Sequence, residues 1–264
     1  MIGMHKKAPP VSPAVASLDL TTEFSLTQMK KIVLFGLGMM GEIAYRHILR
    51  DAAYDIVAFT IDSKWLGTAD TSIAISANVP VVAFEEVERH YPPDQYAMFI
   101  AMGYHDLNHV RAEKCAAAKA KGYELVSYVS SRAHCGPWLE VGENCFILDG
   151  VGVQPGATVG DNVWLWNNSL IGHHAAVGSH CWVAAGTTIG GKAAVGEYCF
   201  FGLGATVGGD LAIGADSFIG AGTLVTKNAA AKSVFVQRDT DLFRLDSKAF
   251  LRLTKLATLG SREG

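Results

Sequence analysis

Residues 159–183 read VGDNVWLWNNSLIGHHAAVGSHCWV, and a large aliphatic residue stands at every sixth position of this stretch. The spacing continues without a gap over fifteen aliphatic or aromatic residues: Val141, Ile147, Val153, Val159, Leu165, Ile171, Val177, Val183, Ile189, Val195, Phe201, Val207, Ile213, Ile219 and Val225. Four positions after each of them comes a second row, mostly of small residues, such as Ala157 and Ala175. A fixed period of this kind is typical of stacked coils, and three six-residue faces make one coil of a parallel β-helix.

A second repeat, of eighteen residues, is superimposed on the period of six. It consists of aliphatic–glycine pairs that begin at Val141, Val159, Val177, Val195 and Ile213. Each buried aliphatic side chain contributes about 1.5–3 kcal/mol, so the inward row can hold the coil together. The repeat alone is equally compatible with a structural solenoid that has no chemistry.

The sequence before the repeat predicts a small Rossmann-like α/β domain with a parallel sheet. We expect strands at 32–35, 55–61, 81–82, 96–102 and 124–129, and helices at 40–49, 85–90 and 107–121. The predicted division is a loosely ordered leader at 1–28, the α/β domain at 29–128, the coil at 129–238 and a tail at 239–264. Met29 would also serve as a start, and Ser247 could cap a short helix in the tail.

Composition excludes several classes of protein. The net charge of −3 gives no basic footprint for nucleic acid, and no run of eighteen apolar residues marks a membrane span. The N-terminal residues lack the apolar core of a signal peptide. The five cysteines include no CxxC pair, and Cys145, Cys181 and Cys199 fall in the small inward row. We interpret them as packed free thiols of a cytoplasmic protein, and neither as disulfides nor as metal ligands.

A glycine motif follows the first predicted strand. Gly36, Gly38 and Gly41 form a GxGxxG, and Asp62 ends the second strand 21 residues after the last glycine. Glycines let the backbone approach a phosphate at a helix N-terminus, and the acid can meet a ribose or a base. A dinucleotide, a nucleotide-linked sugar and a domain that only packs all remain open.

Histidines are concentrated at one turn of the repeat. His173 and His174 are adjacent there, and His180 follows six positions later. Indole and amide side chains stand nearby in the sequence: Trp164, Trp166, Asn167 and Asn168. An outward histidine of a β-helix is more often solvated than catalytic. However, Gly191 lies one coil after His173, and equivalent residues of successive coils stack about 4.8 Å apart. Its N–H would therefore lie near the imidazole, where an oxyanion donor is wanted.

These features together resemble the bacterial hexapeptide-repeat sugar acyltransferases of the sialic-acid O-acetyltransferase type. That group includes the acetyl-CoA-dependent N-acetyltransferases of bacillosamine synthesis. The resemblance covers about residues 30–235. It rests on MKKIVLFGLGMMG at 29–41, VAFTID at 57–62, NSLIGHHAAVG at 168–178 and the unbroken repeat.

The resemblance implies a left-handed β-helix and a homotrimer with active sites between neighbouring coils. It implies acetyl-CoA as co-substrate, no metal, and a sugar or nucleotide-linked sugar of surface-glycan synthesis as acceptor. His173 matches the catalytic histidine of these enzymes. His174 stands where an orienting acid is common, and Trp182 where a later histidine can contact the thioester. By motif match, the CoA contacts would be Trp182, Gly191, Leu203, Gly204, Ala221 and Gly222. The acceptor contacts would be Gly36, Gly38, Gly41, Asp62, Trp166 and Asn167.

The expected reaction is direct acyl transfer with a histidine general base. Two other classes remain as alternatives, a γ-type carbonic anhydrase-like metalloenzyme and a non-catalytic scaffold. We also expect Trp164, Trp166 and Trp182 to lie on an outer wall that only trimerisation would cover. The sequence leaves open whether nitrogen or oxygen is acylated, which sugar carries it, and how long the acyl chain is.

Overall fold

The computed structural model describes residues 29–254, so the predicted leader and the last ten residues of the tail lie outside the described residues. The first half is an α/β domain. Its elements are β1 (Lys31–Phe35), α1 (Met39–Arg50), β2 (Asp55–Ile61), α2 (Ser72–Ala77), β3 (Val81–Ala83), α3 (Val87–His90), β4 (Ala97–Ile100) and α4 (His109–Ala120). Short 3₁₀ turns at Ser63–Trp65 and Phe84–Glu86 complete it.

The sheet of this domain is parallel, with strand order β3-β2-β1-β4. Its central strand β1 is buried from Ile32 to Phe35, as expected for a strand covered on both faces. The small parallel α/β domain predicted from the sequence is confirmed. Helix α2 was not predicted, and the helix predicted from residue 107 begins only at His109.

The predicted last strand, 124–129, is wrong as a member of this sheet. Leu125 makes a single bridge to Met98, and the chain then leaves the domain. Tyr128–Val129 is instead β5, the first strand of the coil, and pairs with Phe146–Ile147. The apolar stretch that suggested one strand is therefore divided, with Leu125 at the edge of the α/β sheet and Tyr128–Val129 in the coil.

The coil is a left-handed parallel β-helix made of two-residue strands. They are β5 (Tyr128–Val129), β6 (His134–Cys135), β7 (Phe146–Ile147), β8 (Gly152–Val153), β9 (Thr158–Val159), β10 (Trp164–Leu165), β11 (Leu170–Ile171), β12 (Ala176–Val177), β13 (Trp182–Val183), β14 (Thr188–Ile189), β15 (Ala194–Val195), β16 (Phe200–Phe201), β17 (Thr206–Val207), β18 (Ala212–Ile213), β19 (Phe218–Ile219), β20 (Leu224–Val225) and β21 (Val234–Phe235).

These strands form three parallel faces. The aromatic face contains β5, β7, β10, β13, β16, β19 and β21; the middle face contains β6, β8, β11, β14, β17 and β20; the alanine face contains β9, β12, β15 and β18. In each coil a first turn leads from the aromatic to the middle face, a second turn to the alanine face, and a third turn back. The register is eighteen residues, as in Leu165 against Val183. The inward row predicted from the sequence forms the core, with only Val141 partly exposed.

The turns are built from residues in the left-handed backbone region. Every sixth residue from Asn144 to Gly222 has a positive φ. Glycine and asparagine adopt this conformation most readily, but His174 at φ 57° and Lys192 at φ 61° occupy equivalent places. His174 is thus a turn residue as well as a candidate functional one.

A row of aromatic side chains points outward from the aromatic face. Its members stand eighteen residues apart: Tyr128, Phe146, Trp164, Trp182, Phe200 and Phe218. The α/β domain of the same chain covers this row, with Phe99 stacked 6.2 Å from Trp164. Trp164 is 0% exposed and Trp182 is 4% exposed. The expectation that these tryptophans lie on an open wall is therefore wrong, and they give no argument for a trimer.

An ionic cluster stabilises the edge of the interface between the α/β domain and the coil. The Arg50 guanidinium donates to both carboxylate oxygens of Asp149 at 2.7 and 2.8 Å, and its Nε donates to Asp51 at 2.7 Å. These hydrogen bonds lower the pKa of Asp149 to about 2 and hold the pKa of Asp51 well below its usual range. The cluster links the end of α1 to the first turn of a coil.

The tail contains α5 (Ser247–Leu253). Its cap is Asp246, whose carboxylate accepts from the N–H of Ala249 at 2.8 Å, so the expectation that Ser247 caps the helix is wrong. No helix within residues 29–254 combines the length and apolarity that a membrane crossing requires.

Candidate active site

The paired histidines lie on a second turn of the coil, between β11 and β12. Both side chains are exposed, and Gly191 occupies the second turn of the next coil. A methyl group in place of the Gly191 Hα would lie 2.6 Å from Nε2 of His173. The imidazole therefore lies directly over the glycine, where every other residue would carry a Cβ. The sequence-based juxtaposition of His173 and Gly191 is present in the structure.

Two contacts orient His173. Its Nδ1 lies 3.3 Å from Nδ1 of His174, so one ring donates a proton and the other accepts it. Its backbone N–H donates to Oε1 of Gln154 at 2.8 Å. The contact to His174 occupies Nδ1 and leaves Nε2, the nitrogen over Gly191, available for a substrate. His174 in turn packs against Gly156, where a Cβ would lie 2.7 Å from its ring.

The N–H of Gly191 is available as a donor. Its carbonyl accepts from Asp210 at 2.9 Å, but among the described residues its N–H has no hydrogen-bond acceptor. The neighbouring Lys192 N–H is used, because it donates to the carbonyl of His173 at 2.8 Å. A free backbone donor beside a free imidazole nitrogen can stabilise negative charge on a reacting oxygen.

The other residues predicted to contact CoA lie on a different edge of the coil. Leu203 and Gly204 form the first turn after β16, and Ala221 and Gly222 form the first turn after β19. All four are exposed. His173 lies on a second turn, so the middle face separates it from these residues within one chain. Trp166 and Asn167, predicted to contact the acceptor, also lie on a first turn and are partly buried.

Trp182 cannot take part in this site. It lies on the aromatic face with its ring 5.2 Å from Trp164 and 4.9 Å from Tyr104. Its side chain belongs to the core between the two halves of the chain. The expectation that Trp182 contacts the thioester or CoA is therefore wrong, because the α/β domain covers the ring.

The three glycines of the GxGxxG loop have different roles. Gly36 has a φ of +118°, and a Cβ there would lie 2.6 Å from the carbonyl oxygen of Ala101. A Cβ on Gly41 would lie 2.2 Å from the carbonyl oxygen of Gly36. Both are required by packing of the chain itself. A Cβ on Gly38 would meet no atom of the described chain within 4 Å. Only Gly38 therefore leaves open space for a ligand.

A cavity of about 520 Å³ opens in front of Gly38. Its lining comprises Gly36, Gly38, Met39, Met40, Ala101, Met102, Gly103, Tyr104 and His105. The N-terminus of α1 points into it, and Gly38 supplies no side-chain cap. The free N–H groups of a helix N-terminus carry a partial positive charge and suit an anion such as a phosphate.

Asp62 stands beyond the end of β2 with its carboxylate engaged. Oδ1 accepts from Nζ of Lys114 on α4 at 2.5 Å, and both side chains are largely buried. Asp62 does not line the cavity in front of Gly38. A ligand could reach Asp62 only by sharing it with Lys114.

Four residues that shape these two places were not predicted from the sequence. Gln154 holds the backbone of His173, and its position nineteen residues earlier is the one available signal. Tyr104 and His105 line the cavity. Arg111 is fully buried and donates to the carbonyl oxygens of Met102 and Gly103. No motif marks these last three residues.

The third histidine predicted near this turn, His180, lies outside the candidate active site. His180 lies on a third turn, with its ring 4.7 Å from that of Tyr198 and its Nδ1 3.1 Å from Nδ2 of Asn162. Within the described part of the chain, no three His, Cys, Asp or Glu side chains come close enough together to hold a metal ion.

The repeat matches two protein-family models. The bacterial transferase hexapeptide (six repeats) matches residues 139–173 and 156–191, and the hexapeptide repeat of succinyl-transferase matches residues 192–227. The coil is therefore built of the hexapeptide repeats that occur in bacterial transferases. Among curated proteins, no sequence matches this chain.

Solved structures share both halves of the fold. PerB from Caulobacter crescentus, in complex with CoA and GDP-perosamine, is 22% identical over 77% of this chain and 92% of its own, with a TM-score of 0.67. The acetyltransferase domain of PglB from Neisseria gonorrhoeae, in complex with acetyl coenzyme A, is 19% identical over 78% and 95%, with a TM-score of 0.66. WeeI from Acinetobacter baumannii is 18% identical over 81% and 100%, with a TM-score of 0.54. At these identities the likeness establishes the fold, and it confirms the structural resemblance predicted from the sequence.

Proposed function

We propose that this protein is an acyl-CoA-dependent acyltransferase that modifies an amino or hydroxyl group of a nucleotide-linked sugar, with acetyl-CoA as the donor. The observation that carries the proposal is the position of His173 Nε2 over Gly191, whose N–H is free. The ligands named for PerB and for the PglB domain, CoA, acetyl coenzyme A and GDP-perosamine, support the choice of substrates.

In the proposed reaction the acceptor attacks the thioester carbonyl directly. An amine must lose a proton on attack, and a hydroxyl is scarcely ionised at neutral pH, so either needs a base. His173 Nε2 receives that proton, while His174 holds the other ring nitrogen. The carbonyl oxygen gains negative charge, and the N–H of Gly191 stabilises it. The thiolate of CoA leaves and is protonated.

The cysteines do not offer an acyl-enzyme route. All five are free thiols, and Cys145, Cys181 and Cys199 are buried within the coil. Burial raises the pKa of Cys145 to about 11, so its thiolate is scarce at neutral pH. Free buried thiols also favour a reducing compartment, and we place the protein in the cytoplasm.

The proposed enzyme is a homotrimer whose active site uses two chains. One chain keeps His173 on a second turn and the exposed residues Leu203, Gly204 and Ala221 on first turns, across the middle face. A neighbouring coil that set its first turns against the second turns of this chain would complete a CoA cleft. Three equivalent clefts follow from cyclic symmetry. Sedimentation equilibrium of the full chain at micromolar concentration tests this, and a stable monomer would contradict it.

The α/β domain supplies acceptor binding in this proposal. Support comes from the open space at Gly38, the uncapped start of α1 and the cavity in front of them. His173 of the same chain lies on the turn opposite the aromatic face that the domain covers, so a sugar attached to a diphosphate at Gly38 would meet the histidine of a neighbouring coil.

The function is tested by release of the CoA thiol. Purified protein is mixed with acetyl-CoA and a panel of UDP-, GDP- and dTDP-linked amino sugars, their free sugars, and matched sugars that carry hydroxyls only. We expect acceptor-dependent thiol release with at least one nucleotide-linked sugar. If no acceptor of the panel increases thiol release and the protein does not bind acetyl-CoA, the scaffold alternative remains.

A further inference from the structure

The loop at residues 103–108 connects β4 to α4 and forms one wall of the cavity in front of Gly38. Tyr104 and His105 belong to its lining, together with Gly38 and Met39. His105 is exposed, and Tyr104 is about half exposed with the rest of its ring packed on the coil. The ring of His105 lies beside Gly103, where a Cβ would be 3.7 Å from Nδ1.

The backbone of this loop is unusual. Asp106, Leu107 and Asn108 are three successive non-glycine residues with left-handed φ values of 50°, 45° and 72°. Residues with a Cβ adopt this region at a cost in energy, and a run of three persists only where the surroundings impose it. Asn108 is 0% exposed, and its side-chain amide has no hydrogen-bond partner in the described chain. Such strain is typical of functional loops.

Arg111 anchors the start of this loop to the coil. Its Nη1 donates to the carbonyl of Gly103 at 3.0 Å, and its Nε and Nη2 donate to Asn162 of the coil. The guanidinium lies 5.4 Å from the ring of Trp164 and 5.6 Å from that of Trp182. Burial lowers the pKa of Arg111 to about 10, so the group is still charged at neutral pH.

Tyr104 packs the same loop against the coil. Its ring lies 4.9 Å from Trp182 and 4.8 Å from Phe200, both on the aromatic face. The coil thus holds Tyr104, and Arg111 holds Gly103. His105 is therefore presented at a defined place at the mouth of the cavity.

The cavity is short of positive charge. Of its nine lining residues, only His105 has a basic side chain. Beside it in the loop is the acid Asp106. On α1 the acid Glu42 is paired with Arg46 at 2.8 Å, and beyond β2 the cation Lys114 is committed to Asp62. The coil presents uncharged rings to this loop, and the buried Arg111 guanidinium is engaged by the carbonyls of Met102 and Gly103. A helix N-terminus supplies only a partial charge against the two charges of a diphosphate.

We propose that His105, as the imidazolium, binds the diphosphate of the acceptor and makes acceptor affinity depend on pH. Histidine changes its charge between pH 5 and 8, so the contact is present in acid and is lost as the pH rises. A charge-assisted hydrogen bond to phosphate corresponds to about a tenfold difference in affinity. The inference rests on the proposed function for the ligand class, a nucleoside diphosphate sugar.

The test is calorimetric binding to the full chain at pH 5.5 and pH 8. The probes are UDP-glucose, GDP-mannose and dTDP-glucose, whose diphosphates keep a constant charge over this range. For the probe that binds, we expect affinity to fall about tenfold from pH 5.5 to pH 8. His105→Gln should bind weakly and equally at both values. His105→Lys should bind at pH 8 as tightly as the unmodified chain does at pH 5.5.

His90→Gln is the matched control, because His90 is an exposed histidine on α3 outside the cavity. It should retain the full pH dependence. If a probe binds and His105→Gln keeps both its affinity and its pH dependence, this inference is overturned while the proposed function stands. If no probe binds to the unmodified chain at either pH, the cavity is not a nucleotide-sugar site. That result overturns the inference and the acceptor part of the proposed function, whereas acetyl-CoA binding to the same samples tests the donor part separately.

Discussion

His173 and Gly191 stand one coil apart, and Nε2 of the imidazole occupies the space that a side chain on the glycine would fill. The β-helix places equivalent residues of successive coils about 4.8 Å apart, so this contact follows from the eighteen-residue register. The register thereby brings a free imidazole nitrogen and a free backbone N–H together.

Gly191→Ala should displace the imidazole. The new methyl group would lie 2.6 Å from Nε2 and 2.8 Å from Cε1 of His173, so the exposed ring must swing away. We expect kcat to fall about ten- to a hundredfold, because a misplaced base loses alignment with the acceptor. The melting temperature should change little. Gly67→Ala is the control, since a Cβ there meets no atom of the described chain within 4 Å. Full activity in Gly191→Ala would show that this contact has no part in turnover.

Trp182→Ala should act on stability and not on CoA affinity. The ring is buried between the α/β domain and the aromatic face, and removal of such a ring costs about 3–5 kcal/mol. Trp65→Ala is the control, because Trp65 is 54% exposed. Urea unfolding measures the change, and calorimetry below the transition measures acetyl-CoA binding. A loss of acetyl-CoA affinity with unchanged stability would restore Trp182 to the CoA site.

Gly38→Val should raise the KM for the acceptor and leave the KM for acetyl-CoA unchanged. The valine side chain would fill the open space in front of the α1 N-terminus and keep a phosphate from the backbone N–H groups. Steady-state kinetics with each substrate varied separately makes the distinction, with Gly67→Val as the control. An effect confined to acetyl-CoA would assign the loop to the donor, and no effect on either substrate would show that the domain does not bind the acceptor through Gly38.

Acid should weaken the interface between the two halves through the Arg50 cluster. The folded-state pKa of Asp149 is about 2, below the value near 3.9 of an unfolded aspartate. The stabilisation is therefore complete above about pH 4 and is lost as the pH falls toward 2. In Arg50→Gln the folded-state pKa of Asp149 should return toward 3.9. Urea unfolding between pH 4 and pH 2 should then show a shallower loss of stability than in the unmodified chain. Equal slopes for the two proteins would contradict this assignment.

The period of six predicted the coil and its inward row because large side chains must stack in the core of every coil. The sequence did not show what covers an outward side chain. Trp164 and Trp182 belong to an eighteen-residue aromatic row that begins at Tyr128, and that regularity could have indicated a surface for the α/β domain. Instead the tryptophans suggested an open wall.

The candidate site could be predicted only in part for a similar reason. Spacing placed His173 beside Gly191, since the register is rigid. The loop that carries His105 gave no signal, because the left-handed φ values at Asp106 and Leu107 occur without glycine or proline. Arg111, which anchors the start of this loop at Gly103, lies at an unremarkable position of an alanine-rich helix.

The central claim is that His173 is the base for acyl transfer, and a single-turnover measurement of acetyl transfer to the best acceptor tests it most directly. His173→Ala should lower the rate about 10²- to 10⁴-fold with the melting temperature and acetyl-CoA affinity unchanged, since the exposed ring contributes a base and no core packing. His174→Ala should cost less, because its ring only holds Nδ1 of His173. An active His173→Ala beside an inactive His174→Ala would contradict the account and move the base by one residue.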